Sequence, residues 1–104
     1  MEEIVFKTLL FDFYGDLLNE HQKRVYDEAI FQDLSLSEIA ETEGITRQGV
    51  HDLLRRTERT LREYEDKLHL VERFESMRGK AETILELSDD EEIRKLAREL
   101  IDEM

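Results

Sequence analysis

The run Ser35-Leu36-Ser37-Glu38-Ile39-Ala40-Glu41-Thr42-Glu43-Gly44-Ile45-Thr46-Arg47-Gln48-Gly49-Val50 decides how this chain folds. Ser35 followed three residues later by Glu38 has the spacing of a capping box, which starts a helix. Gly44 ends that helix, because a residue without Cβ enters the left-handed conformation at no steric cost. Ile45 is then expected to plug the core and Thr46 to cap the next helix. In that helix Val50, Leu53, Leu54, Thr57 and Leu61 recur at three- and four-residue steps and form one apolar stripe. Two capped helices separated by so short a turn make a helix-turn-helix. Ala40 and Gly44 are expected to be small because the two helices approach there, with Ile39, Ile45, Val50 and Leu54 as packing.

Upstream, residues 3–14 read as a helix through Val5, Phe6, Leu9, Leu10 and Phe13, with Gly15 suited to its end. Asn19 with Gln22 repeats the capping-box spacing and opens a second helix over about 20–32. Phe6, Phe11, Phe13 and Tyr14 form an aromatic cluster whose plain reading is core, with a dimer contact compatible. Downstream, Leu70, Val71, Phe74, Met77, Ala81, Ile84 and Leu85 make a narrow seam of the kind that packs on another helix, internally or across a two-fold axis. Ser88 with Glu91 is expected to cap a last helix carrying Ile93, Leu96, Ala97, Leu100 and Ile101. The expectation is an all-α protein of six helices. Residues 1–68 form a helix-turn-helix domain with an N-terminal helix, and residues 69–104 a C-terminal helical extension packing on it or on a second subunit.

Composition agrees and narrows the function. The 104 residues hold no proline, four glycines and 40% charged side chains, a balance that helices tolerate and strands do not. Cysteine is absent, which removes disulfides and thiolate metal sites and points to the cytoplasm. The opening Met1-Glu2-Glu3 lacks the basic start of a signal peptide, and Lys7, Asp12 and Asp16 interrupt the apolar residues before membrane-spanning length, so no membrane insertion is expected. His69 and Glu72 share a helix face, but two ligands make a poor metal site. Asp89-Asp90-Glu91-Glu92 is first-turn charge rather than a calcium loop. With no nucleophile–base constellation and no glycine-rich phosphate loop, neither an enzyme nor a cofactor is expected.

The net charge of −12 is unevenly spread. Residues 1–46 carry −8 and residues 63–104 carry −7, whereas residues 47–62 carry +3. That positive segment is the second helix of the motif. Nucleic acid is therefore the expected partner of Thr46, Arg47, Gln48, His51, Arg55, Arg56 and Arg59: the first four at the reading end, the later arginines as phosphate anchors. Asp52 and Glu58 work against phosphate.

Leu-Asn-Glu-His-Gln-Lys-Arg-Val (18–25), Leu-Ser-Leu-Ser-Glu-Ile-Ala (34–40) and Gly-Ile-Thr-Arg-Gln-Gly-Val (44–50) resemble region 4 of sigma factors, which recognises promoter DNA. With Phe-Asp-Phe-Tyr-Gly-Asp-Leu-Leu (11–18) before them and Val-His-Asp-Leu-Leu-Arg-Arg-Thr-Glu (50–58) after, the chain is similar to the YlxM-like family of small bacterial helix-turn-helix proteins, encoded beside signal recognition particle genes. The resemblance implies a regulatory or accessory role in that targeting pathway, through RNA and protein contacts with signal recognition particle components, by a homodimer. The alternative is a DNA-binding transcriptional regulator using residues 46–62 as recognition helix.

Overall fold

A computed structural model describes residues 1–104 as six α-helices: α1 (Glu3–Tyr14), α2 (Glu20–Ile30), α3 (Leu36–Glu43), α4 (Arg47–Leu68), α5 (Leu70–Leu87) and α6 (Glu91–Glu103). There is no strand, so the protein is all-α. Two compact units divide it, residues 1–68 and residues 69–104.

The first unit is built on its caps. Asn19 accepts from the Gln22 N–H at 2.8 Å while the Gln22 side chain accepts from the Asn19 N–H, closing a capping box. Ser35 and Glu38 repeat the arrangement at 3.1 Å each way. Each such cap contributes about 1 kcal/mol to its helix. Gly44 stands at φ 69°, ψ 32°, and Thr46 Oγ1 accepts from the Gly49 N–H at 2.9 Å, so the turn between α3 and α4 is made as its residue types require.

Three helices then enclose one apolar cluster. Val25 of α2, Ile39 and Ala40 of α3, and Val50 and Leu53 of α4 are buried together, with Ala29, Leu34, Leu36 and Leu54 packed around them. Fully burying side chains of this size contributes about 1.5–3 kcal/mol each. Farther along α4, Thr57 and Leu61 are buried as well, and the Thr57 hydroxyl donates to the Leu53 carbonyl at 2.8 Å. α1 is held on α4 by charge as well as by packing. Lys7 pairs with Glu58 at 3.2 Å, and Arg62 pairs with Glu3 and lies 5.1 Å above the Phe6 ring. Tyr14 is buried and donates to Glu65 at 2.6 Å. Phe11 stacks on Tyr26 at 5.5 Å, and burial pushes the Tyr26 phenol up to about 12.

Several expectations are corrected. Ile45 is 39% exposed and does not plug the core: it lies over the Gly49 backbone at the start of α4, where a Cβ would meet its side chain at 3.7 Å. Nothing lies within 4 Å of a Cβ built on Gly44, so glycine serves the positive φ there and not a close approach of helices. Gly15 keeps right-handed geometry, φ −57°, and continues α1 into a short 3-10 turn over Gly15–Leu17. It stands at the end of α1 as its C-cap, buried beside the Phe11 ring, which a Cβ there would meet at an ordinary contact distance of 3.4 Å, so neither a left-handed backbone nor close packing is what glycine supplies. Phe13, 37% exposed, lies at the rim of the aromatic cluster with its ring 6.3 Å from that of buried Tyr14, and α2 stops at Ile30 where the chain turns through Asp33 at positive φ.

The second unit is a hairpin of α5 and α6 joined by residues 88–90. Ser88 is not the cap of α6. Asp90 is, its carboxylate accepting from the N–H groups of Glu92 and Ile93 at 2.9 and 3.2 Å, while Ser88 Oγ takes only the Asp90 N–H. An ionised carboxylate that satisfies two orphan donors, beside the positive end of the helix, outcompetes a hydroxyl two residues earlier. Arg94 closes the connection by donating to the Leu85 and Ser88 carbonyls. Ala81 and Ala97 are buried at 2% and 1% exposure, small residues that let the two helices come close.

Candidate nucleic-acid interface

The buried stripe of α4 fixes what its opposite face presents. Val50, Leu53, Thr57 and Leu61 point into the first unit, so positions 48, 52, 55, 56 and 59 face solvent. Arg47, Gln48, His51, Arg55, Arg56 and Arg59 are all exposed, and Thr46 is exposed at the N-cap with its hydroxyl oxygen already engaged. None of the ion pairs of the chain involves Arg47, Arg55, Arg56 or Arg59. Arg55, Arg56 and Arg59 line one shallow surface groove together with Asp52. From Arg47 to Arg59 the unpaired cations span about 18 Å of helix.

Beyond Arg59 the character of the face changes. Arg62 is consumed by Glu3, Glu58 and the Phe6 ring, so it braces α1 and is not available to a ligand. Glu63 and Asp66 follow on the same side, lining a second groove with Arg55, Arg59 and Arg62. The positive face therefore has a definite end. Sequence reading alone counts Arg62 in the basic segment; its i, i+4 pairing with Glu58 is visible in the spacing, but the bridge to Glu3 links positions 59 residues apart, which no local pattern reveals.

At the reading end, Asp52 is not free either. Gln48 Nε2 donates to Asp52 Oδ1 at 3.0 Å, and His51 Nδ1 stands 3.8 Å from the same oxygen. One carboxylate thus fixes the orientation of the Gln48 amide. The i, i+4 spacing of Gln48 and Asp52 is the signal that points to this contact.

Acidic α3 lies beside this end, yet its carboxylates are partly occupied. Glu43 is gripped by Arg24 through two bonds at 2.8 and 3.0 Å, which hold its carboxyl below the ordinary range. Hydrogen bonds from Ser35 do the same for Glu38. His69 and Glu72 are 3.2 Å apart in the second unit, and no group of three or more acidic or histidine side chains is gathered to hold a metal ion. No helix is long and apolar enough to cross a membrane.

Comparison with known proteins finds relatives along nearly the whole chain. A UPF0122 protein of Thermoanaerobacter sp. strain X514 is 39% identical over 110 aligned positions, covering 99% of this chain and 94% of that one. Another, from Caldanaerobacter subterraneus subsp. tengcongensis, is 45% identical over 85 residues, 82% of this chain and 73% of its own. A third, from Shouchella clausii, is 50% identical over 70 residues, 67% of this chain and 64% of its own. The family model that matches residues 1–103 describes helix-turn-helix proteins, YlxM / p13 like, and the chain belongs to that family, UPF0122.

Proposed function

We propose that this protein is a non-enzymatic regulator that binds nucleic acid through the exposed face of α4 and works as a pair of copies. The observation that carries the reading is the row of unpaired arginines, Arg47, Arg55, Arg56 and Arg59, on a chain that is otherwise strongly acidic. On a chain of net charge −12, four exposed cations without internal partners make this helix face the place that attracts an anion. Arg47, Gln48 and His51 stand at the end of α4 that a helix-turn-helix inserts into a groove, with Thr46 at the backbone entry, and Arg55, Arg56 and Arg59 hold phosphates.

The target we favour is the structured RNA of the signal recognition particle, on the strength of the family resemblance. Acidic surroundings support a restricted target, because they weaken casual adsorption to any duplex. Duplex DNA read by residues 46–62 is the alternative, supported by the likeness to sigma region 4.

Fluorescence anisotropy of labelled signal recognition particle RNA and of random duplex DNA tests the reading. With three arginines on phosphates, log affinity for duplex should fall with log salt with a slope of about −3. Arg47→Glu/Arg55→Glu should abolish binding while helical circular dichroism is retained. Unchanged affinity in the folded double variant would remove α4 as the reader.

A further inference from the structure

The second unit forms only a thin core from its own residues. Of its 36 positions only Val71, Ala81 and Ala97 are buried, and two of those are alanines. Phe74, Leu85 and Ile101 are half-buried, but six other large apolar side chains stay in solvent: Met77 is 54% exposed, Ile84 42%, Leu87 81%, Ile93 45%, Leu96 55% and Leu100 48%.

These six are not scattered. Met77 and Ile84 are seven residues apart on α5, with Leu87 beside them, and Ile93, Leu96 and Leu100 follow the three/four spacing of a helix-packing seam on α6. Taking Ala81 and Ala97 as the lines along which the helices touch, each set lies on the shoulder at lower helical angle. In two helices running in opposite directions, those shoulders fall on the same side of the hairpin. The result is one continuous apolar face of six large side chains, each between 42% and 81% exposed.

We propose that this face docks a second copy of the chain, with α5 of each copy lying along α6 of the other to close a four-helix bundle. The charges at the rim select that partner and that arrangement. Along the outer edge of the face on α5 run Arg73 and Lys80, seven residues apart; along the outer edge on α6 run Glu92, Glu99 and Glu103. A two-fold axis parallel to the helices sets the basic edge of each copy against the acidic edge of the other, level with Lys80 opposite Glu99 and Arg73 opposite Glu103. The other isologous arrangement, α5 on α5, sets like charges together and is disfavoured. All neighbours in the favoured bundle are antiparallel, as in a bundle of up-and-down helices.

The surface deepens the two-copy reading above and rests on it, so the test separates the two. Sedimentation equilibrium of the full chain across a dilution series should give twice the 12.5 kDa chain mass. Leu96→Glu should yield monomer with its helical circular dichroism retained. Lys80→Glu and Glu99→Lys should each weaken the dimer about tenfold, two symmetric pairs being lost, and the double exchange should restore it. A wild-type chain that is monomeric throughout would overturn both the two-copy reading and this surface. A dimer that withstands Leu96→Glu would keep the pair and overturn the surface. Single exchanges whose effects add in the double variant would overturn the placing of α5 on α6.

Discussion

Asp52 sits among Arg55, Arg56 and Arg59 and lowers the attraction of their groove for a phosphate. A like charge about 6 Å from a phosphate costs on the order of 1 kcal/mol at a wet surface. Asp52 also holds the Gln48 side chain at 3.0 Å, so its presence trades affinity for a fixed orientation at the reading end. Asp52→Asn keeps the shape and an acceptor while deleting the charge. It should raise affinity for random nucleic acid threefold to tenfold in the same anisotropy titration, and reduce the preference for the true target. Affinity that falls instead would mean the carboxylate itself accepts a hydrogen bond from the ligand, as an acid can from the cytosine amino group.

The helices owe their boundaries to single residues, and Gly44 isolates one such effect. Its φ of 69° falls where a side chain is strained, while the space around its Cβ position is open. Gly44→Ala should therefore cost about 1 kcal/mol through the dihedral alone, with no steric term. Urea denaturation measures it, and a loss above about 3 kcal/mol would show that the turn itself has rearranged. The same residue explains what sequence reading reaches. Caps such as Asn19, Ser35 and Thr46 act on N–H groups three residues away, so spacing alone exposes them, and the stripe of α4 follows from helical period. Ile45 escapes that kind of reading because its burial depends on which helix crosses the turn. Ser88 escapes because Ser88 and Asp90 offer two alternative starts to one helix, and only geometry ranks Asp90 first. In the site, exposure of Arg47, Arg55, Arg56 and Arg59 was legible from period, but the withdrawal of Arg62 by Glu3 was not, since the contact is long-range. Where local spacing decides, the sequence is enough; where distant side chains compete, it is not.

At the scale of the whole molecule, charge favours one of the two proposed associations and opposes the other, and salt separates them. Nucleic acid is attracted to the arginine face, so added salt weakens that binding. Two copies of a −12 chain repel each other when they pair. At a centre separation of about 30 Å this repulsion is on the order of 2 kcal/mol at ~0.05 M salt and close to zero at ~0.3 M. Rim pairs such as Lys80 with Glu99 are exposed and worth about 0.2–1 kcal/mol each, and screening removes only part of that. Relief of the repulsion is therefore the larger effect, and the hydrophobic contact of Met77, Ile84, Leu96 and Leu100 is untouched by screening. Raising salt from ~0.05 to ~0.3 M should tighten the dimer several-fold in sedimentation equilibrium while loosening nucleic acid in anisotropy. A dimer that loosens in step with nucleic acid would mean that charge pairs, and not the apolar face of the hairpin, hold the copies together.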